Sequence, residues 1–150
     1  MKEFFKAQFS TKNDHHVELA VLACIDPRFR EFDQQAIEEG LGVKNFDLFR
    51  WPGVTKPLLN SQDFFELFCQ AITKVSIGLH HIKKLMLLCH WDCGGYGGSC
   101  AFGSCQEEEA KYQVDLLAAK ESLQKRFPEL ELAMAYSKLG ADGFLHYYQI

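Results

Sequence analysis

The feature that most constrains the fold of this chain is an apolar run that ends in a glycine-rich turn. Residues 85–89 read Leu-Met-Leu-Leu-Cys, and residues 94–98 read Gly-Gly-Tyr-Gly-Gly. A short apolar run without alternation is typical of a strand that is buried on both faces, as in a parallel sheet. Residues 19–24, Leu-Ala-Val-Leu-Ala-Cys, form a second such run. We therefore predict a parallel sheet with helices packed against it.

Three further segments carry helical patterns. The first covers residues 34–39, with Asp33 as a candidate N-cap; the others follow Ser61 and Ser104, whose hydroxyl groups suit N-cap positions. Pro57 is expected to keep the segment before Ser61 irregular. In the third helix, four apolar residues are expected to face the sheet: Ala110, Val114, Leu117 and Ala118.

Additional strands are predicted at residues 45–51, 130–137 and 144–149. The last two are separated by Gly-Ala-Asp-Gly, which is too short for a crossover helix, so they should pair antiparallel as a hairpin at the sheet edge. The other connections contain helices, and right-handed crossovers then give parallel strands. The predicted fold is a three-layer α/β structure with a mainly parallel sheet, a C-terminal antiparallel hairpin strand and helices on both faces.

The composition excludes several classes of protein. The chain has 150 residues, 47% of them hydrophobic and 24% charged, which is ordinary for one globular domain. A net charge of -4 provides no basic surface for nucleic acid. No apolar run reaches the length of a membrane span, and the N-terminus lacks a signal-peptide pattern, so we expect a cytoplasmic protein without membrane partners. Its six cysteines are then expected to be reduced thiols or metal ligands.

Metal-binding side chains follow the two apolar runs. His90 and Cys93 stand three residues apart after one run, and Cys24 ends the other, with Asp26 and Arg28 following at a spacing of two. In a doubly wound sheet of order 2-1-3-4, these two strands flank the switch point where ligands bind. Catalytic zinc usually has three nitrogen, sulfur or oxygen ligands from the protein and one open position. Cys24, His90 and Cys93 are therefore predicted to bind Zn²⁺.

Two motifs resemble those of the β-class carbonic anhydrases. Residues 24–28, Cys-Ile-Asp-Pro-Arg, and residues 90–94, His-Trp-Asp-Cys-Gly, are similar to the family patterns Cys-x-Asp-x-Arg and His-x-x-Cys-Gly. The resemblance extends from Val17 to the C-terminus. It implies the sheet order 2-1-3-4, a single carbonic anhydrase-like domain over residues 1–150 with residues 1–16 as an N-terminal stub, and a homodimer or higher homo-oligomer.

The resemblance also implies an activity. This is the reversible hydration of carbon dioxide to bicarbonate by zinc-bound hydroxide, with Asp26 accepting a hydrogen bond from the hydroxide and Arg28 holding Asp26 by a two-pronged contact. In the family this aspartate is either paired with arginine in an open site or bound to zinc in a closed one, and both arrangements fit the sequence. The backbone N–H groups of Gly94 and Gly95 are expected to orient substrate or to serve only as turn formers.

Departures from the family pattern leave two other functions open. Residues 50–54 read Arg-Trp-Pro-Gly-Val where the family usually has Arg-Asn-Ala-Gly-Asn. One alternative is a zinc hydrolase of carbon disulfide or carbonyl sulfide, with a more apolar pocket formed by Trp51, Val54, Tyr96 and Phe102. The other is a non-catalytic zinc-binding protein or sensor, in which extra cysteines close the site: Cys89, Cys100 or Cys105.

Overall fold

A computed structural model describes residues 3–7 and 15–150 of the chain. Its centre is a five-stranded sheet of order β2-β1-β3-β4-β5. The strands are β1 (Leu19–Ala23), β2 (Phe46–Arg50), β3 (Lys84–His90), β4 (Glu131–Leu139) and β5 (Leu145–Gln149). The first four are parallel, and β5 pairs antiparallel with β4. The predicted fold class is confirmed, including the hairpin strand.

The two apolar runs occupy the middle of the sheet. All five residues of β1 are buried, as are all residues of β3 after Lys84. The edge strands β2 and β5 are only partly buried. Strands with a neighbour on each side and helices above and below have no water-facing side, which explains why their sequences do not alternate between apolar and polar residues.

Helices cover both faces, but unevenly. The helices are α1 (Arg30–Gln35), α2 (Thr55–Asn60), α3 (Gln62–Ala71) and α4 (Cys105–Arg126); α1 and α3 continue as π-helical turns, Ala36–Gly40 and Ile72–Ile77. One face packs against α2, α3 and α4 through a large apolar core that includes Phe68, Leu116 and Leu123. The other face forms a smaller core around Ile37. Within the described part of the chain, no helix has the length and apolar character needed to cross a membrane.

Two of the three predicted helix caps are confirmed. The Ser61 hydroxyl accepts a hydrogen bond from the Phe64 N–H at 3.2 Å, and the Ser104 hydroxyl accepts one from the Glu107 N–H at 3.1 Å. These bonds satisfy N–H groups that have no partner inside the helix.

The interpretation of Asp33 as a cap is wrong. Helix α1 begins at Arg30, and Asp33 lies inside it with its carboxylate buried. That carboxylate accepts hydrogen bonds from Arg50 Nη1 at 3.1 Å and from the Tyr147 hydroxyl at 2.9 Å. Burial raises the pKa of Asp33, while its two partners oppose the shift. Asp33 therefore links α1 to both edge strands.

The segment around Pro57 is helical rather than irregular, so that prediction is also wrong. Pro57 occupies the third position of α2. Residues in the first turn of a helix have no intrahelical acceptor for their N–H groups, so a proline there removes no hydrogen bond.

The predicted inner face of α4 is likewise wrong. Val114 and Leu117 have 61% and 50% of their surface exposed. The buried residues of α4 are instead Glu108, Tyr112, Asp115, Leu116, Ala119 and Leu123. Two carboxylates belong to this inner face because each finds hydrogen-bond donors there. The buried face of α4 mixes acidic, aromatic and apolar side chains, so the hydrophobicity pattern of the sequence does not identify it.

Candidate metal centre

The three predicted zinc ligands lie together at the carboxyl end of the sheet. One ligand atom from each of Cys24, His90 and Cys93 lies within 4.8 Å of the others, and all three residues are buried. Cys24 directly follows β1, His90 is the last residue of β3, and Cys93 lies in the turn after it. Because β1 and β3 are parallel neighbours, their carboxyl ends bring these side chains to one point.

The imidazole of His90 is oriented with one nitrogen unused. Its Nδ1 lies 2.7 Å from the backbone oxygen of Trp91, which assigns the proton to Nδ1. The Nε2 atom is buried, and by hydrogen-bond geometry it has no partner among the described residues. The ring is held in place by the Phe29 ring, with 3.9 Å between centroids. A buried nitrogen without a partner is uncommon, and an imidazole fixed through Nδ1–H is the usual form of a histidine metal ligand.

The two thiols interact with each other directly. Cys24 Sγ and Cys93 Sγ are 3.5 Å apart. The contact between the two thiols lowers the pKa of Cys24 and raises the pKa of Cys93. A cation at this point would be bound by both sulfurs as thiolates. Two sulfurs and an imidazole nitrogen are a donor set that zinc prefers, so the residues fit the expected metal.

Asp26 lies beside this cluster and is held by Arg28. Arg28 Nη2 donates to Asp26 Oδ2 at 2.7 Å, and Nε lies 3.1 Å from each carboxylate oxygen. The backbone N–H of Arg28 also donates to Asp26 Oδ1 at 3.0 Å. These hydrogen bonds lower the pKa of Asp26, so the carboxylate is charged at neutral pH. The arginine-paired arrangement is therefore the one that this structure adopts.

A second carboxylate, Asp92, holds the opposite side of Arg28. Arg28 Nη1 donates to Asp92 Oδ2 at 2.8 Å, and Nη2 donates to the Asp92 backbone oxygen at 2.9 Å. Hydrogen bonding to Arg28 also lowers the pKa of Asp92. Sequence reasoning assigned no role to this residue. The available signals were its position between the predicted ligands His90 and Cys93 and its similarity to an aspartate in the family motif.

The two glycines predicted to bind substrate have different surroundings. A Cβ on Gly95 would lie 2.6 Å from the backbone N and 2.7 Å from the Cα of Gly53, whereas a Cβ on Gly94 would meet nothing within 4 Å. The loops after β2 and β3 thus touch backbone to backbone at Gly53 and Gly95. Gly95 is required for this packing, and substrate binding by either glycine stays a prediction.

The four residues of the alternative apolar pocket lie in different environments. Trp51 packs on the Phe64 ring, with 4.8 Å between centroids, and lines a cavity of about 220 Å³. Val54 is buried in the core, with a left-handed φ of 46°. The hydroxyl of Tyr96 is hydrogen-bonded to Thr55 and Asp115. Phe102 lies near Tyr112, with 6.3 Å between ring centroids.

The three remaining cysteines considered for a closed site are free thiols. Cys89 is buried on the side of the sheet covered by α2, and burial raises its pKa to about 12. Cys100 and Cys105 are exposed. Among the described residues, the one group of three or more potential metal ligands consists of Cys24, His90 and Cys93.

Comparison with known proteins gives the chain a family. A sequence model of the family described as putative carbonic anhydrase matches residues 14–138. An uncharacterized protein of Rickettsia conorii is 28% identical over 130 residues, which cover 82% of this chain and 67% of that protein. Another from Rickettsia bellii is 27% identical over 150 residues, with coverage of 95% and 87%.

A solved structure has the same fold. It is the crystal structure of β-carbonic anhydrase isoform I from Trichomonas vaginalis, with a TM-score of 0.53, 13% sequence identity, and coverage of 95% of this chain and 87% of that one. This likeness confirms the predicted sheet order and class. Because the family match spans most of the sequence and the fold agrees with it, the chain belongs to the putative carbonic anhydrase family, as a divergent β-carbonic anhydrase-like member.

Proposed function

We propose that this protein catalyses the reversible hydration of carbon dioxide to bicarbonate, with a zinc ion bound by Cys24, His90 and Cys93. The observation that carries the proposal is the buried cluster of three donor atoms within 4.8 Å, beside a carboxylate that Arg28 holds. The family and the fold support the same reaction class.

Each ligand residue has a defined part in binding the metal. Trp91 O fixes the His90 ring through Nδ1, which leaves Nε2 to bind the metal, and Cys24 and Cys93 supply their sulfurs as thiolates. When bound, zinc would act as a Lewis acid that lowers the pKa of a water molecule at its remaining position. The dication and two thiolates sum to zero charge, so the buried centre needs no further counter-ion.

Asp26 is the residue proposed to orient the reacting water. Its charged carboxylate accepts hydrogen bonds and lies two residues after Cys24, at the rim of the buried cluster. Arg28 engages both carboxylate oxygens, which fixes their direction. A carboxylate held in this way positions a nucleophile before carbon dioxide arrives, which lowers the entropic part of the barrier.

The direct test is stopped-flow hydration of carbon dioxide at pH 8 to 9 with zinc-replete protein. We expect a rate well above that of buffer, and the same protein should accelerate the dehydration of bicarbonate. A rate equal to buffer in protein that contains stoichiometric zinc would reject this reaction while leaving the metal site intact.

A homodimer or higher homo-oligomer is also proposed. Several large apolar side chains near α1 and β5 are exposed: Phe32, Phe144, Tyr148 and Ile150. Extended apolar surface on a folded chain often marks an interface between proteins. Sedimentation equilibrium tests this proposal, and a monomer at micromolar concentration would contradict it.

A further inference from the structure

Glu108 is a buried carboxylate whose partners are both neutral donors. It lies in the first turn of α4 and is 0% exposed. One carboxylate oxygen accepts a hydrogen bond from the Asp92 backbone N–H at 2.7 Å, and the other accepts one from the Ser99 hydroxyl at 2.6 Å. Burying a carboxyl group away from water is costly, and an apolar side chain would fill the same space at lower cost. The benefit of Glu108 must therefore come from what it holds in place.

Asp92 is held in a backbone conformation that few residues adopt. Its φ is 54°, in the left-handed region, where non-glycine residues are uncommon. Glu108 fixes the Asp92 N–H, and the Ser99 N–H donates to Asp92 Oδ1 at 2.9 Å. The main chain and the side chain of Asp92 are thus both anchored to the start of α4 and the loop before it.

Asp92 in turn determines where Arg28 can lie. The Arg28 side chain is 53% exposed, so burial alone does not restrict its rotamers. Asp92 contributes two acceptors to it, the Oδ2 atom at 2.8 Å and the backbone oxygen at 2.9 Å. With its outer nitrogens fixed, the guanidinium presents Nε and Nη2 to the two oxygens of Asp26. A guanidinium group whose terminal nitrogens are already held loses little further conformational entropy when it orients the Asp26 carboxylate.

We propose that Glu108 is a positioning residue, which acts through Asp92 and Arg28 to hold Asp26 beside the cluster of Cys24, His90 and Cys93. The catalytic consequence rests on the proposed function, whereas the positioning itself is a property of the chain alone. Without Glu108, the Asp92 turn relaxes, Arg28 becomes mobile, and Asp26 loses its fixed direction.

Two substitutions at Glu108 distinguish the loss of its hydrogen bonds from the loss of its carboxyl group. Glu108→Ala removes both acceptors. Glu108→Gln keeps the connection, because its amide oxygen accepts from the Asp92 N–H and its amide nitrogen donates to the Ser99 oxygen after the hydroxyl rotates. The adjacent Glu109 pairs with Lys138 instead, so Glu109→Ala serves as the matched control.

The first measurement is the exchange rate of the Arg28 Nε–H proton with water, followed by ¹⁵N NMR in metal-free protein. We expect Glu108→Ala to accelerate this exchange by about tenfold or more, as expected for the loss of a charge-assisted hydrogen bond. Glu108→Gln and Glu109→Ala should leave it near the wild-type rate. Unchanged exchange in folded Glu108→Ala protein would overturn the proposal.

If that variant fails to fold, Ser99→Ala removes only the hydrogen bond from the Ser99 hydroxyl to Glu108, and it should produce a smaller acceleration of the Arg28 exchange.

The second measurement is a double-mutant cycle on carbon dioxide hydration with zinc-replete protein. Glu108→Ala should lower kcat with little change in KM, and it should have no further effect in an Arg28→Ala background, because both changes release the same aspartate. Independent, multiplying effects would overturn the proposal. If the wild-type protein shows no hydration at all, the proposed function fails, and the Arg28 exchange rates still decide whether Glu108 positions Asp26.

Discussion

The two halves of the candidate site differ in whether their polar atoms have hydrogen-bond partners. The cluster of Cys24, His90 and Cys93 is buried, and His90 Nε2 has no hydrogen-bond partner among the described residues. The network of Asp26, Arg28 and Asp92 lies nearer the surface, and its charged groups are joined by short hydrogen bonds. We expect a cation to complete the first half, whereas the hydrogen bonds of the second are made within the protein. Changes in one half should therefore leave the other intact, and this independence can be tested.

Replacing a sulfur ligand should have the largest effect. We expect the wild-type protein to contain near-stoichiometric zinc. Cys24→Ser removes one of the two predicted sulfur donors and should lose most of it. Elemental analysis after purification without chelator measures this directly. The matched control is Cys100→Ser, which changes an exposed cysteine and should retain the metal. Full zinc retention in Cys24→Ser would disprove the ligand assignment.

Removing the arginine should separate the two halves. Arg28→Ala leaves every proposed ligand in place, so zinc should stay bound while carbon dioxide hydration falls by about a hundredfold, the usual scale for losing an orienting group. The control is Arg30→Ala, because that side chain is largely exposed and its ion pair within residues 15–150 is a long contact of 3.9 Å with Glu31. Loss of zinc in parallel with activity would show that the network supports metal binding as well.

The contact between the two loops offers a smaller and purely structural test. Gly95→Ala would place a Cβ against the Gly53 backbone and should lower the free energy of unfolding by about 1–3 kcal/mol. Gly94→Ala has open space and should change stability far less. Urea titration of both variants gives the comparison. Equal stabilities would mean that the loops can move apart without cost.

Chelation should have the smallest effect on the fold. The apolar core on the side of α3 and α4 is extensive, and Cys24 and Cys93 are only two of its many members. We expect metal-free protein to keep its helical circular dichroism signal and to unfold cooperatively on heating, at a lower temperature than the zinc form. A signal typical of an unfolded chain after chelation would assign the metal a structural role.

Structure was predictable from the sequence where one local pattern, such as an apolar run or a capping residue, determines it. The buried strands β1 and β3 are continuous apolar runs, so the parallel sheet was predictable from them, whereas its strand order was implied by the family resemblance. Metal binding by the residues that follow these runs stays a prediction. Ser61 and Ser104 were recognisable because capping is local chemistry.

Long-range polar pairing limited the rest of the prediction. The inner face of α4 was misassigned because Glu108 and Asp115 are buried there, and only the folded chain reveals their donors. Asp33 was interpreted as a cap for the same reason, since its partners Arg50 and Tyr147 are distant in sequence. Helical periodicity indicates which residues share a face, but the direction of that face depends on partners elsewhere.

The hydrogen bonds of Asp33 have a consequence for the order in which the protein matures during synthesis. Arg50 bridges the backbone oxygen of Cys24 and the Asp33 carboxylate, and the second carboxylate oxygen accepts from Tyr147, 114 positions later in the sequence. A ribosome delivers Cys24, Asp33 and Arg50 long before it delivers Tyr147. The surroundings of Cys24 are therefore completed only when β5 has emerged, so the nascent chain carries the Cys24 thiol for most of its synthesis before its final environment exists.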